Sequence, residues 1–223
     1  MNLRVVKKPK MNLNSFKTIK KNIPANTKLI AVSKGQEVEK IKALYNEGHR
    51  DFGENFLQEL QQKKTQLPKD IKWHFLGNIQ SNKLKEICTC SDLIHSVSRK
   101  KIYRKLFLIE SKTKINILLQ LKLGTEESKA GFSKKEVYEI INGHPDGSHV
   151  AIKGLMVIAE GNKSESEIKE QFDFAFGVYN EIKSYAKNTK ILSMGMSGDY
   201  SVALESGSNM IRIGTSLFGD RYK

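Results

Sequence analysis

Residues 29–38 read LIAVSKGQEV, and this stretch contains one complete transition from a strand to a helix. A run of apolar, strand-forming residues stops at Lys34, Gly35 follows, and a charged pattern with helical spacing begins near Val38. A continuous apolar run is typical of a strand that is buried on both faces, as in a parallel sheet covered by helices. Most lysines lie in water, so Lys34 is either a solvated strand end or a lysine kept in a cleft for its chemistry.

The same transition recurs along the whole chain. Apolar runs of strand length lie at residues 29–33, 51–53, 73–76, 93–97, 115–123, 152–158, 191–194 and 210–213, and segments with mostly helical spacing separate them. Eight strands that alternate with helices predict an α/β fold, a single (β/α)8 TIM barrel, with an extra helix at residues 13–22. This helix would cover the barrel wall that a missing final helix leaves bare. A doubly wound open sheet is the alternative, because sequence alone does not show closure.

The length and the composition are consistent with one soluble domain. A chain of 223 residues can bury a sizeable core without disulfides, and we expect a single domain over residues 11–223. Residues 1–10 are interpreted as a leader or a disordered arm, because residues 11–13 repeat the opening Met-Asn-Leu. No segment has the apolar length of a signal peptide or a membrane span. Cys88 and Cys90 lack the second ligand pair of a zinc site, so we predict reduced thiols, no metal and a cytoplasmic location.

The net charge of +14 raises the question of nucleic-acid binding. Residues 1–28 hold eight Lys or Arg and no acidic residue, so the rest of the chain carries only +6. The sequence also has no aromatic-interleaved basic strand, zinc finger or recognition-helix signature. We therefore expect no nucleic-acid partner, and interpret the charge as a general attraction for anionic ligands.

Polar and small residues gather where the predicted strands end. Strand one ends at Lys34 and strand two at Asn55, while strands seven and eight run into MGMSGD (194–199) and RIGTSLFG (212–219). In a (β/α)8 barrel the active face is built from the loops after the strands, and the last two loops frequently bind phosphate. Segments rich in Gly, Ser and Thr before a helix let backbone N–H groups approach such an anion. Each segment alone is equally typical of a plain turn.

A lysine opposite a phosphate cradle is typical of one cofactor, pyridoxal 5′-phosphate (PLP). The neutral amine of a lysine can attack a carbonyl carbon, and partial burial beside other cations favours that neutral form. The sequence therefore predicts that PLP lies across the mouth of the barrel.

Eight sequence blocks resemble one known family, the pyridoxal phosphate homeostasis proteins, which are similar to the barrel domain of alanine racemase. The resemblance runs in order from Leu29 to Tyr222 through AVSK, RDFGEN, WHFLGNIQSNK, LIHSV, EESKAGF, GLM, LSMGMSGD and MIRIGTSLFG. It implies that Lys34 forms the Schiff base with PLP. Glu37 departs from the family pattern, which usually has a proline three residues after the lysine, and this puts the rigidity of the first loop in question.

The resemblance also implies roles for the residues at the other strand ends. Arg212 matches an arginine that faces the pyridine nitrogen in the related racemases, although contact with the phosphate side is the alternative. Asn55 matches a position that lines the cofactor pocket. The phosphate-binding segments match Ser197, Gly198, Gly214 and Thr215.

Several other polar residues have a simpler structural interpretation. His74 and His95 alternate with bulky residues on predicted strands, so we predict hydrogen-bonded core histidines rather than proton carriers. Glu126, Glu127 and Lys129 form either a solvated loop or a partner surface. Asp199 is equally suited to cap a helix and to contact a ligand.

The resemblance leaves two function classes open, a PLP carrier and a PLP-dependent amino-acid racemase. The related racemases take a second acid/base group, a tyrosine, from a C-terminal domain, whereas this sequence ends at Lys223, directly after the eighth strand unit. We therefore expect a non-catalytic, monomeric protein of intracellular PLP homeostasis that buffers PLP and delivers it to PLP-dependent apo-enzymes.

Overall fold

Eight parallel strands alternate with helices in the computed structural model, which describes residues 12–124 and 130–219. The strands are β1 (Lys28–Val32), β2 (Asp51–Glu54), β3 (Lys72–Phe75), β4 (Leu93–Val97), β5 (Ile115–Gln120), β6 (Val150–Met156), β7 (Ile191–Ser193) and β8 (Met210–Ile213). The helices are α1 (Leu13–Asn22), α2 (Val38–Asn46), α3 (Leu57–Gln66), α4 (Leu84–Cys90), α5 (Lys100–Leu106), α6 (Lys134–Asn142), α7 (Glu165–Tyr185), α8 (Tyr200–Glu205) and α9 (Thr215–Phe218).

The sheet closes on itself. Each strand pairs in parallel with the next, and β8 pairs with β1 in a register that places Lys28 beside Met210 and Ala31 beside Ile213. The predicted (β/α)8 barrel is therefore confirmed, and the open doubly wound sheet is excluded. All eight strand ends consequently face the same rim, which brings residues far apart in sequence to one mouth.

The extra helix α1 has the bounds that the sequence predicts. The Asn12 side chain caps it by accepting the N–H of Ser15 at 2.9 Å, and Phe16 and Ile19 are its buried residues. The Asn12 N–H donates to the Leu217 carbonyl at 3.1 Å, so α1 begins against α9. Because α9 has only four residues, α1 covers part of the wall that a full-length last helix would cover.

Two predicted strands differ from the observed ones by more than one residue at an end. The fifth strand, predicted as residues 115–123, ends at Gln120, and Leu121 forms only an isolated bridge with Phe132. The sixth, predicted as residues 152–158, begins and ends two residues earlier. The apolar runs continue past both strand ends, where Leu121, Leu123 and Val157 are buried and Ile158 is exposed, so composition alone places the boundary too late.

The barrel has two apolar layers. The larger lies between the strands and the helices and contains the bulky buried aromatics, among them Phe52, Trp73 and Phe75. A small cluster packs separately from that layer and consists of Ile30, Leu93, Leu118, Met156 and Met210. This second cluster is too small to form a fully apolar barrel interior, and polar side chains occupy part of it.

Some predictions fall on residues outside the described ranges, namely the interpretation of residues 1–10 and of Glu126, Glu127 and Lys129. No helix in residues 12–124 and 130–219 has the length and apolarity that a membrane span requires. Cys88 and Cys90 are free cysteines and half-buried, and burial raises the pKa of the Cys88 thiol to about 12.

Candidate functional site

A cavity of about 290 Å³ opens at the carboxyl ends of the strands. Every residue that the sequence analysis places in the cofactor site lines it, and they come from four strand ends: Lys34, Asn55, Ser197, Gly198, Arg212, Gly214 and Thr215. The fold therefore brings together one amine, one guanidinium, one amide and two hydroxyl groups. The volume of the cavity is at the lower end of the range for small-ligand sites.

Lys34 is the second residue of a tight turn that follows β1. The Ser33 carbonyl accepts the Gln36 N–H at 3.0 Å, which closes the turn over Lys34 and Gly35. Gly35 has a φ of 68°, a conformation that glycine adopts without steric cost and that the third residue of such a turn can require. The sequence SKGQ thus fixes the direction in which the Lys34 side chain leaves the strand.

A buried ionic cluster lies behind this turn and consists of Glu54, Glu59 and Lys63. The Lys63 ammonium donates to Glu54 Oε1 at 2.8 Å, to Glu59 Oε1 at 2.6 Å and to the Ser33 carbonyl at 2.6 Å. Burial and the Glu59 charge raise the pKa of the Glu54 carboxyl, while Lys63 and Ser33 oppose that rise. The Lys63 and Glu54 side chains are 5% and 0% exposed, so this is an interior ion pair.

Asn55 is held at the rim by close backbone packing. An ideal Cβ on Gly77 would lie 1.8 Å from the Asn55 carbonyl oxygen, so only glycine fits at this point of contact. The Gly77 carbonyl in turn accepts the Ser96 hydroxyl at 2.5 Å. The glycine of WHFLGN therefore sets the position of Asn55 on the neighbouring strand.

The opposite side of the cavity is built from the loops after β7 and β8. Ser197 Oγ accepts long hydrogen bonds from the Gly214 N–H at 3.3 Å and the Ser216 N–H at 3.4 Å. A Cβ added to Gly198 would meet nothing within 4 Å, and one on Gly214 would touch Val32 at ordinary contact distance. This side is open space bordered by weakly engaged N–H groups, which is how an anion cradle is built.

Arg212 is buried beneath the cavity and is fixed by neutral acceptors. It is 5% exposed, and its guanidinium donates to Ser193 Oγ at 2.8 Å and to the Val157 carbonyl at 2.9 Å. Burial lowers the pKa of Arg212 to about 10, and the Asp199 charge opposes that change. Arg212 therefore stays a cation at neutral pH.

A chain of hydrogen bonds continues from Arg212 through the barrel to its opposite end. Ser193 Oγ lies 3.1 Å from His95 Nδ1, His95 Nε2 lies 2.9 Å from His74 Nδ1, and His74 Nε2 lies 3.1 Å from Asp51 Oδ1. When His74 is neutral with its proton on Nε2, facing the Asp51 carboxylate, His95 Nε2–H donates to His74 and the Ser193 hydroxyl donates to His95. Burial lowers the pKa of His95 well below its usual value, with the His74 and Arg212 charges acting in the same direction.

The structure also shows the contacts of His74, His95 and Asp199, for which the sequence analysis gives a structural interpretation. His74 and His95 are 3% and 0% exposed and hydrogen-bonded, as the sequence analysis predicts. Asp199 occupies the N-cap position of α8 without a side-chain capping bond. Its carboxylate instead accepts the Met196 N–H at 2.5 Å and closes the 196–199 turn. Asp199 is therefore the N-cap residue by position but does not cap α8 with its side chain, and its contact with a ligand stays a prediction.

Sequence reasoning missed the ionic cluster and part of the cavity lining. Lys63 lies in QQKKTQ, which has the composition of a solvated helix, but it also continues the three-residue spacing of Leu57 and Leu60. That spacing places Lys63 on the buried face of the helix, whereas Lys64 is exposed. Apolar lining residues such as Met156 and Leu76 carry no comparable signal, because they are ordinary strand-end residues.

In the part of the chain that the structure describes, no group of three or more His, Cys, Asp or Glu side chains is arranged to hold a metal ion. A more open depression of about 570 Å³ lies elsewhere on the rim, lined by residues that include Lys122, Lys134 and Phe174. It contains none of the seven predicted site residues. The smaller cavity is therefore the candidate site.

Comparison with known proteins identifies the family of the chain. The family model for the alanine racemase N-terminal domain matches residues 12–222. A pyridoxal phosphate homeostasis protein from Schizosaccharomyces pombe is 35% identical over 205 residues, covering 88% of this chain and 85% of its own. One from Synechocystis is 37% identical over 204 residues, covering 89% of this chain and 94% of its own.

Solved structures give the same result. PipY of Synechococcus elongatus with PLP bound is 34% identical with a TM-score of 0.85, and the match covers 92% of this chain and 99% of PipY. Alanine racemase from Corynebacterium glutamicum is 13% identical with a TM-score of 0.73, covering 93% of this chain and 61% of the racemase, and so shares the fold. The chain belongs to the pyridoxal phosphate homeostasis proteins, within the larger family of alanine racemase N-terminal domains.

Proposed function

We propose that this protein binds PLP in the rim cavity and acts in PLP homeostasis as a carrier without catalytic turnover. The observation that carries the proposal is the arrangement of the cavity, in which the Lys34 amine and the anion cradle after β7 and β8 line opposite parts of one small space. PLP has an aldehyde and a phosphate on different parts of one ring, so its aldehyde can react with the Lys34 amine while its phosphate lies in the anion cradle.

Lys34 supplies the covalent attachment. Its neutral amine adds to the cofactor's aldehyde carbon, and loss of one water molecule leaves a carbon–nitrogen double bond, so the reaction needs no oxidant or other reactant. The linkage is reversible by hydrolysis. A carrier requires that property, because the cofactor has to be released in its reactive form.

The phosphate is assigned to the loops after β7 and β8. Gly198 and Gly214 leave room for it, and the N–H groups of Gly214 and Ser216 now make only long bonds to the Ser197 hydroxyl. An anionic oxygen is a stronger acceptor than a hydroxyl, so it would take these N–H groups. Thr215 adds a further hydroxyl at the same place.

Arg212 is assigned to the ring-nitrogen side of the cofactor, rather than to the phosphate. The guanidinium is tied to Ser193 and Val157 below the cavity, away from the loop backbone that forms the cradle. A cation next to the ring nitrogen disfavours its protonation, which weakens the ring as an electron sink. Asn55 completes the wall on the β2 side.

The carrier function is favoured over racemisation by the shortage of acid/base groups. Racemisation requires one proton donor or acceptor on each face of the bound amino acid. Among the described residues that line the cavity, Lys34 is the single amine, and none is an imidazole, carboxyl, thiol or phenol. A water molecule is not tuned as a general acid, a role worth about 10²- to 10⁴-fold in rate.

An absorbance spectrum and adduct mapping test the proposal together. PLP added to the protein should give the visible absorbance band of an imine-bound cofactor, and borohydride should abolish this band. Peptide mapping should then find the reduced adduct on the peptide that contains Lys34. A principal adduct on another lysine would refute the site, and D-alanine formation from L-alanine at about 10 per second would replace the carrier with a racemase.

We also propose that PLP-dependent apo-enzymes receive the cofactor at the cavity mouth. Two exposed apolar side chains, Ile158 and Met196, line it with exposed fractions of 46% and 38%, and Phe56, which follows the lining residue Asn55 in sequence, is 62% exposed. Exposed apolar groups around a ligand opening suit a transient protein contact. Phe56→Ser should slow activation of an apo-enzyme while release of PLP into buffer stays unchanged, and equal activation rates for both proteins would contradict direct delivery.

The two reduced cysteines support a cytoplasmic location. We also propose that the carrier is a monomer, since one chain supplies every group assigned here to PLP. Sedimentation of the purified protein at micromolar concentration should give a single species of the monomer mass, 25.3 kDa. A dimer mass would refute that part of the proposal.

A further inference from the structure

The buried ionic cluster behind Lys34 has no part in the contacts assigned so far to the cofactor. Glu54, Glu59 and Lys63 lie between the barrel wall and α3, and none of them lines the cavity. Burying the Glu54 carboxylate and the Lys63 ammonium, with Glu59 partly exposed beside them, is costly and seldom adds net stability compared with apolar residues of similar volume. Its contacts with the chain around Lys34 indicate what it does.

The cluster holds both residues that flank Lys34. On one side, the Ser33 carbonyl accepts Lys63 Nζ at 2.6 Å and the Ser33 hydroxyl donates to Glu54 Oε1 at 2.6 Å. On the other side, the Gly35 N–H donates to Glu59 Oε1 at 2.6 Å. Three charge-assisted hydrogen bonds therefore clamp a turn of which Lys34 is the second residue.

The clamp reaches the turn from a rigid element. Lys63 and Glu59 are four residues apart on α3, and their ion pair of 2.6 Å fixes both side chains on the face that meets the barrel. Leu57 and Leu60 bury the same face of α3. The backbone at Lys34 is thus tied to a packed helix and is not free to move with the loop.

The clamp on the Lys34 turn does not depend on the protonation state of Glu54. Lys63 has one ammonium for two carboxylates, and the second Glu54 oxygen, Oε2, is buried without a hydrogen-bond partner within residues 12–124 and 130–219. All the hydrogen bonds described here use Oε1, so a proton on Oε2 would leave the clamp intact. The cluster can consequently hold the turn with Glu54 in either protonation state.

We propose that Lys63, Glu59 and Glu54 are positioning residues that orient Lys34 for attack on the aldehyde of PLP. The inference rests on the proposed function, in which Lys34 forms the covalent link. A lysine side chain has four rotatable methylenes, so its effective concentration at the aldehyde depends on how firmly its backbone is held. Loosening the clamp lowers the covalent part of binding and leaves the phosphate side unaffected.

The experiment compares two ligands that differ only at the reacting carbon. PLP can bond to Lys34, whereas pyridoxine 5′-phosphate has the same ring and phosphate with a hydroxymethyl group in place of the aldehyde. The ratio of their affinities measures the covalent advantage. In Lys63→Met we expect this ratio to fall by about 10-fold or more, because the amine loses part of its preorganisation, while pyridoxine 5′-phosphate binds as in the original protein.

Lys64→Met is the matched control. Lys64 is the next residue of α3, is exposed, and donates to the Cys90 carbonyl at 3.0 Å, away from the Lys34 turn. Both affinities should remain unchanged in this variant. A loss of the ratio in Lys64→Met equal to that in Lys63→Met would show a general effect of α3 and would overturn the inference.

Glu59→Gln provides the same test where Lys63→Met does not fold. The Glu59 side chain is 22% exposed, so its charge is removed at lower cost, and the bond to the Gly35 N–H loses its charge assistance. We expect a drop of about 3-fold in the affinity ratio, which corresponds to roughly 0.7 kcal/mol, and faster hydrogen exchange at the Gly35 amide in the ligand-free protein. An unchanged ratio and an unchanged exchange rate would refute the positioning role.

The outcomes separate this inference from the proposed function. If the original protein forms no reducible adduct at Lys34, the proposed function fails, although the exchange rate at Gly35 still reports on the clamp. If the original protein and the cluster variants form the adduct equally well, the proposed function stands and the positioning role is wrong.

Discussion

The two sides of the cavity are held in opposite ways. The Lys34 side is fixed by charged side chains, with Lys63, Glu54 and Glu59 each bonded to the turn at 2.6 Å. The side after β7 and β8 is fixed by backbone packing, and its inward N–H groups make hydrogen bonds of 3.3 and 3.4 Å. The difference indicates that the covalent side is rigid before ligand arrives, whereas the anion side is completed by the ligand.

Removing the Lys34 amine should have the largest effect, because it abolishes the covalent bond on one side of the cavity and leaves anion binding on the other side intact. In Lys34→Ala we expect complete loss of the borohydride-reducible adduct, because no other amine lines the described part of the cavity. Pyridoxine 5′-phosphate should still bind, since the anion side is intact. Adduct mapping and equilibrium titration check this, and loss of both ligands would show that the two sides are not independent.

Blocking the anion side with a larger residue should give the next largest effect. A Cβ on Gly214 lies 3.4 Å from the Val32 carbonyl oxygen, which is ordinary contact, so Gly214→Val should fold. Its branched side chain would extend into the space assigned to the phosphate. We expect a loss of affinity for pyridoxine 5′-phosphate of about 100-fold or more, or roughly 2.7 kcal/mol.

Titration and thermal unfolding of Gly214→Val measure ligand affinity and folding separately. Unchanged affinity in a folded variant would place the phosphate elsewhere. Loss of folding would instead contradict the contact distances around Gly214.

Removing one hydroxyl from the same side should have a smaller effect. Ser197 Oγ is the acceptor for two backbone N–H groups, which a phosphate would use in its place. In Ser197→Ala we expect the affinity for PLP to fall by roughly 1.5 kcal/mol, about one hydrogen bond to a charged group. A calorimetric comparison with Gly214→Val tests the order, and a larger loss in Ser197→Ala would show that side chains, not backbone, hold the anion.

The sequence predicts the anion side better than the lysine side. The loops MGMSGD and RIGTSLFG carry their function in local composition, and Ser197, Gly198, Gly214 and Thr215 all reach the cavity as expected. The support of Lys34 instead depends on Glu54, Glu59 and Lys63, whose charges resemble those of solvated residues until the fold buries them. Pairings of this kind depend on the closure of the barrel and on the packing of α3, which no local pattern specifies.

The path from Arg212 to Asp51 shows the same limit. The alternation of His74 and His95 with bulky residues predicts burial, and both are buried. Their other partners, Asp51 on β2 and Ser193 on β7, lie 23 and 98 residues away along the chain in the bonds His74–Asp51 and His95–Ser193. Such long-range contacts are set by the order of the strands in the barrel. The sequence therefore predicts that the two histidines are buried, but not which residues they bond to.

The smallest expected effect concerns the pH dependence of stability on the lysine side. Burial raises the pKa of Glu54 above its value in the unfolded chain, with the Glu59 charge adding to that rise and Lys63 and Ser33 opposing it. Between the two pKa values the native state holds a proton that the unfolded chain has released. The stability contributed by this proton is therefore fully present below the unfolded pKa and is lost as pH rises through the native pKa.

Glu54→Gln removes this titration while Lys63 keeps Glu59 as its counter-ion. Relative to the original protein, we expect the variant to gain at least about 1 kcal/mol of unfolding free energy as pH rises from roughly 4.5 to 8, since one pKa unit corresponds to 1.36 kcal/mol. Burial also lowers the pKa of His49 to about 4, but that group titrates in both proteins and cancels in the comparison. Urea unfolding at several pH values measures the difference. A constant difference across the range would mean that Glu54 is ionised in the native state throughout, and that the Lys34 turn is held by a permanently charged cluster.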